Sequence, residues 1–303
     1  MTGDWPSVGV VIPTRDRLQL LRRAVDAVLA QDYPGPLRVV VVFDQSPVSE
    51  LDRAVEVVAN SRTPGLAGAR NTGIAALDTD LVAFCDDDDV WAPGKLTRQV
   101  EALTARPGAE FATCAIEVEY GGRVTPRLAG ASLVGVDDLA RSRMAMLHAS
   151  TFLARRRSLV DVPDGIGPVA EDAPGSQNED WDLLLRAARR APVVHVDEPL
   201  VRVLWGRTSQ FAYEYATKVS SLRWMLDRHP EIRACRAGAA RVYGQLACWS
   251  AATGNRRDAW HWTRAALRSN WREPRAAIAL AAVTGAVRVE HVLGVLHQRG
   301  RGI

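Results

Sequence analysis

The chain has 303 residues, 47% hydrophobic and 24% charged, a composition that excludes a disordered tail or a fibre and suits a globular protein of about two domains. Its net charge of +3 hides an asymmetry, because residues 211–303 carry 15 Lys and Arg against 6 Asp and Glu, whereas residues 1–210 carry 23 against 29. A basic tail of this kind suits either an anionic surface, such as membrane lipid, or a solvated helical face. The longest strongly apolar stretch, Ala276 to Val287, is broken by Thr284 and Gly285 and falls short of the roughly 18 residues a membrane span needs. The opening MTGDWPSVGVVIPTRDR lacks a basic leader followed by an apolar core. The expectation is a cytoplasmic protein with peripheral membrane contact open to its basic C-terminal helices. Cys85, Cys114, Cys235 and Cys248 show no metal or redox spacing and read as reduced structural thiols.

In chain order, VGVVI (8–12) and LRVVVVF (37–43) read as strands buried on both faces, and Leu18, Leu21, Val25, Val28 and Leu29 between them keep helical spacing. Helix is expected again near Leu51 to Ala59, then a turn and helix over Gly65 to Gly73, then an apolar strand from Leu81 to Cys85. This alternation predicts parallel strands with right-handed crossovers and a ligand site beyond their carboxyl ends. Phe111 to Tyr120 reads as a strand, Gly121-Gly122 as a turn and residues 136–147 as a helix. Residues 163–178, with three prolines and three glycines, read as a mobile loop able to close over a ligand. Trp181 to Ala188 is helical, and from about Phe211 the chain reads as a helical appendix.

The chemistry gathers at the strand ends. Leu81 to Cys85 runs into Asp86, Asp87, Asp88 and Asp89, whose mutual repulsion at a buried strand end calls for a divalent cation held by hard oxygen ligands. Pro13, Thr14, Arg15, Asp16 and Arg17 follow the first strand and Asp44 the second. Each has an ordinary structural use, as a loop start, cap or turn residue. Together with GLAGARN (65–71), where glycines permit close backbone approach and Arg70 stands near a helix start, they point to a phosphate-bearing ligand. The chain lacks a GxxxxGK[ST] loop and a GxGxxG after its first strand, which disfavours P-loop NTPases and dinucleotide enzymes.

The segments VVIPTRDR (10–17), VVFDQS (41–46), GLAGARNTGI (65–74), LVAFCDDDDVWAPGKL (81–96) and NEDWDLLLR (178–186), in this order, resemble the inverting family 2 glycosyltransferases over about residues 8–210. The resemblance implies an α/β protein with the GT-A fold, a Rossmann-like, mostly parallel sheet flanked by helices. Its catalytic domain would be residues 1–210, and residues 211–303 the helical region. It implies transfer of a sugar from a nucleoside diphosphate, a UDP-sugar first, to a saccharide, lipid-linked or small-molecule acceptor, with Mn²⁺ or Mg²⁺ as cofactor and no nucleic-acid partner. Carried across, Pro13, Thr14, Arg15, Arg17 and Asp44 hold the nucleobase, and Arg70 lies by the base and phosphates. Asp86 and Asp87 lie by the ribose and metal, Asp88 is the principal metal ligand with Asp86 beside it, and Asp180 is the catalytic base next to Glu179. Which aspartate of the four takes which place stays open. The family's basic stretch downstream is replaced here by VRVLWGRTSQ (201–210), with Arg202, Trp205 and Arg207 as candidates. His148 and His195 read as structural. The alternative is a catalytically silent nucleotide-sugar or glycan-binding protein, against which the pair Asp88 and Asp180 argues.

Overall fold

The computed structural model describes residues 5–160, 165–204, 214–284 and 292. Trp205 and Arg207 lie outside them. The chain divides into two units, the first made of Met1–Val136, Met144–Asp172 and Glu179–Gly206, the second of Asp137–Arg143, Ala173–Asn178 and Arg207–Ile303.

The first unit is built on one ten-stranded sheet. Its strands are β1 (Val8–Thr14), β2 (Leu37–Phe43), β3 (Glu56–Ala59), β4 (Leu81–Phe84), β5 (Val90–Trp91), β6 (Phe111–Tyr120), β7 (Arg123–Arg127), β8 (Leu133–Val134), β9 (Leu153–Arg155) and β10 (Val193–Leu204). The main order is β3-β2-β1-β4-β9-β6-β10-β5, with β7 on β6 and β8 on β10. The β3-β2-β1-β4 half is parallel, as the alternating pattern requires, while β9 runs antiparallel to both β4 and β6, so the whole sheet is mixed. Its helices are α1 (Leu18–Leu29), α2 (Leu66–Ala76), α3 (Lys95–Thr104), α5 (Arg156–Val160) and α6 (Glu179–Arg190), while α4 (Val136–Arg141) belongs to the second unit from Asp137 on.

All seven residues of β1 are buried, because it is central and covered on both faces. On α1, Leu21, Ala24, Val25 and Val28 are buried at spacings of three and four, so one face joins the core, at roughly 1.5–3 kcal/mol for each large side chain. Helix α2 lies close against β1 because a Cβ at Gly73 would strike Val11, and one at Gly68 would strike the Thr63 carbonyl. Register aligns Thr14 with Phe43, and the next amides continue the ladder, Asp44 N–H to the Thr14 carbonyl at 2.9 Å and Cys85 N–H to that of Val11 at 3.0 Å. The polar residues after β1, β2 and β4 therefore leave the sheet side by side.

Two expectations are corrected. The Leu51–Ala59 segment is not a helix; its Glu-Val-Val-Ala end pairs with β2 as β3, where paired valines suit an edge strand better than a helix turn. The helix expected over 136–147 stops at Arg141.

The second unit contains α7 (Tyr215–Arg228), α8 (Pro230–Ala234), α9 (Arg236–Ala252), α10 (Arg256–Ser269) and α11 (Pro274–Val283). Its inner aromatics stack in pairs, Tyr215 on Trp249 and Tyr243 on Trp262, with centroids 5.4 and 5.5 Å apart. No helix among the described residues is long and apolar enough to cross a membrane.

Candidate active site

The acidic loop after β4 meets two arginines from different elements. Arg17, between β1 and α1, forks over Asp87 at 2.6 Å and Asp88 at 2.7 Å, while the Thr14 hydroxyl donates to Asp87 at 2.7 Å. Arg70, on the first turns of α2, is only 2% exposed and reaches Asp86 at 2.7 Å with one arm and Glu179 at 2.5 Å with the other. Glu179 and Asp180 open α6, both nearly buried, and Asp180 accepts from the Trp181 amide at 2.7 Å. An acidic first turn complements the positive end of that helix. Residues 109 positions apart in sequence are thus joined through one guanidinium.

From the other side the loop rests on a 3-10 turn, Ala149–Thr151, preceding β9. Ser150 Oγ accepts from the Asp86 amide at 2.8 Å and also bonds Asp89, and His148 Nδ1 lies 3.8 Å from Asp89. Asp86, Asp89 and His148 bring ligand atoms within 4.8 Å of one another. Behind the loop, the enclosed Lys95 holds its Nζ 3.7 Å from the centre of the Trp91 ring, and burial lowers it to about 8.

The electrostatics are those of an under-compensated acid cluster. Burial pushes Asp87 up to about 6, although Arg17 and Thr14 pull the other way. Asp88 is raised by burial and by Asp86. Asp89 is raised well above the usual carboxylate range by burial, with Asp86 and Asp88 adding repulsion. Burial also lifts Glu179 to about 7, with Arg70 opposing and Asp180 reinforcing. Two arginines do not neutralise this set, and hard carboxylate oxygens with one imidazole are a donor set that accepts Mn²⁺ or Mg²⁺.

The remaining predicted residues sit beside this network. Asp44 is 7% exposed and accepts from the Gly65 amide at 3.0 Å, Asn60 at 2.7 Å and Gln45 at 3.0 Å, which leaves about one of a carboxylate's four acceptor positions. Pro13 is buried within β1, and Arg15 is exposed just after it. An open cleft of about 550 Å³ lies here, lined by Asp16, Arg17, Leu18, Phe43, Ser46 and Pro47 among others. Arg202 pairs with Glu117 at 2.6 Å on the sheet. His195 is structural, bonded to Thr113 at 2.9 Å and Asp197 at 3.2 Å.

The described part of the 163–178 loop is clasped rather than loose; residues 163 and 164 lie outside the described residues. Asn71 bonds both the amide and the carbonyl of Val169, and Arg186 holds the carbonyls of Ile166, Gly167 and Pro168. Glu171 accepts from the Thr63 amide, Asn71 and Arg62, and these bonds outweigh its burial to hold it at about 2. Sequence reasoning missed Ser150, Lys95, Asn71 and the approach of His148 to Asp89. Only the polar LHAST run ahead of a strand could have signalled part of this.

A mixed sheet whose strand ends gather an acidic loop and a helix-borne carboxylate pair defines a GT-A glycosyltransferase. The chain belongs to glycosyl transferase family 2, whose family model matches residues 9–162, just over half of it. Among curated relatives, a GalNAc(5)-diNAcBac-PP-undecaprenol beta-1,3-glucosyltransferase of Campylobacter jejuni is 26% identical over 168 residues, 52% of this chain and 53% of that protein. The match covers between 12% and 53% of the length of the curated relatives. Staphylococcus aureus TarS 1-349 in complex with UDP-GlcNAc superposes with a TM-score of 0.60 at 14% identity, over 97% of this chain and 92% of that one. The mannosyltransferase PcManGT from Pyrobaculum calidifontis, in complex with GDP-Man and Mn²⁺, superposes with a TM-score of 0.55 at 19% identity, over 97% and 80%.

Proposed function

We propose that the protein is an inverting glycosyltransferase that moves a sugar from a nucleoside diphosphate to an acceptor hydroxyl in one displacement, with Asp180 as base. The observation that carries this is the Arg70 bridge, which ties the acidic loop to the helix start that bears Asp180. Nucleotide complexes of the structural neighbours support a nucleoside-diphosphate donor, and a UDP-sugar is the first choice. The cleft lined by Arg17, Phe43 and Ser46 has the volume of a small-molecule site and takes the nucleoside.

Asp180 accepts the proton of the acceptor hydroxyl as that oxygen bonds to the anomeric carbon. The bond from this carbon to the diphosphate oxygen breaks, its electron pair leaves with the nucleoside diphosphate, and configuration inverts. Asp86 and Asp88, with Asp89 and His148 beside Asp86, would hold Mn²⁺ or Mg²⁺, which would supply charge stabilisation for the departing diphosphate. Arg70 has both arms on carboxylates and serves as a positioning residue for Asp86 and for the start of α6. Arg17, likewise engaged by Asp87 and Asp88, positions the acidic loop from the cleft side. The named relative acts on an undecaprenol-linked glycan, which makes a lipid-linked saccharide the leading acceptor class.

The test is release of nucleoside diphosphate from a panel of nucleotide sugars with Mn²⁺, for the native chain and Asp180→Asn. Release confined to the native chain, with product of inverted anomeric configuration by NMR, bears the proposal out. Release insensitive to Asp180→Asn removes the base assignment.

A further inference from the structure

In the second unit, α10 is capped by the Asn255 side chain, which accepts from the Asp258 amide at 3.1 Å, and buries Ala259, Thr263 and Ala266 at spacings of three and four. At about 100° per residue, Arg256, Arg257, Trp260, Arg264 and Arg268 fall within an arc of about 120° that begins beside that buried stripe. All five are exposed, Trp260 at 43%, and Trp271 just beyond the helix is 72% exposed with the Arg272 guanidinium 4.6 Å from its ring centre.

The charge of this face is uncompensated. Between residues 255 and 284 the only acids are Asp258 and Glu273. Asp258 is taken by Arg223 at 2.9 Å, and the buried Glu273 by Arg275 at 2.6 Å. Among the described residues no carboxylate lies within ion-pair distance of Arg256, Arg257, Arg264, Arg268 or Arg272. The two indoles are equally unusual for this unit, whose Trp249 and Trp262 are stacked on tyrosines.

We infer that the α10 face, with Trp271 and Arg272 beside it, is a docking surface for an anionic phospholipid bilayer. Unpaired guanidiniums are drawn to lipid phosphates, and amphipathic indoles settle at headgroup level. A planar headgroup layer engages the arginines together and takes both indoles out of water. The inference stands apart from the catalytic reading, since none of these residues belongs to the site.

The test uses the full chain with phosphatidylglycerol-containing and pure phosphatidylcholine vesicles in flotation assays at low and high salt, with nucleotide-sugar turnover and thermal unfolding as controls. Binding to the anionic vesicles is expected, falling steeply with salt, with a blue shift of tryptophan emission that Trp260→Ala with Trp271→Ala reduces. Each Arg→Gln substitution on the face is expected to weaken binding about five-fold, and the combined Arg256, Arg257, Arg264 and Arg268 variant several hundred-fold, with turnover and unfolding temperature kept. Equal binding to phosphatidylcholine, or anionic binding unchanged in Arg264→Gln and in the combined variant, overturns the inference. So does a single-stranded oligonucleotide bound more tightly than the vesicles, which would make the face a nucleic-acid surface.

Discussion

The protein uses arginine in two opposite ways. In the catalytic unit Arg70 is 2% exposed and saturated by Asp86 and Glu179, whereas Arg256, Arg257, Arg264 and Arg268 of the helical unit stand in solvent without acidic partners among the described residues. A buried bridge fixes geometry and is poorly screened; an exposed set acts collectively and yields to salt. The difference teaches that charge count alone does not separate function from surface. Enclosure and pairing do.

The largest effect is expected at the carboxylate the bridge supports. Asp180→Asn should lower transfer by about 10²–10⁴ while nucleotide binding, read by thermal shift, is kept. Next comes the bridge itself. Arg70→Met leaves the buried Glu179 and the half-buried Asp86 without their cation and should cost about 3 kcal/mol in urea unfolding, with Arg70→Lys recovering part of it. If Arg70→Met unfolds like the native chain, the bridge is not what holds the loop and helix together.

A third measurement sharpens the buried side through pH. Glu179 has its ordinary 4.5 raised to about 7 by burial, so between these values the folded chain holds more protons than the unfolded one. Its contribution to stability therefore falls as pH rises through that window and is steady above it. Glu179→Gln should flatten the difference by roughly 1–3 kcal/mol between pH 5 and 8, measured as native minus variant so that histidines cancel. The smallest effect belongs to the exposed side, where Arg268→Gln should change unfolding free energy by less than about 0.5 kcal/mol.

Much of this was legible in the residues. VGVVI, LRVVVVF and LVAF are too apolar and β-branched to be anything but covered strands, and four aspartates after the last of them mark a loop that must recruit cations. The EVVA strand was misread because its run is short and the residues before it keep helical spacing, which an edge position then overrides. Arg70 illustrates the deeper limit. Its place near a helix start predicts an anion contact, but that the anions are Asp86 and Glu179 depends on packing between segments 109 residues apart. Likewise Ser150 carries no local signature; only the pairing of β9 with β4 brings its turn under the acidic loop.

The clasps on the segment before α6 imply a map of where the chain tolerates a change of length. Gly121 and Gly122 turn the β6–β7 hairpin with φ of +56° and +77° and nothing near a would-be side chain, so extra residues there have open space to occupy. Between Ile166 and Glu171 a single added residue would slide carbonyls and an amide away from Asn71 and Arg186, and each polar group so released would be stranded. Chimeras are therefore better spliced at the hairpin tip than at the approach to α6.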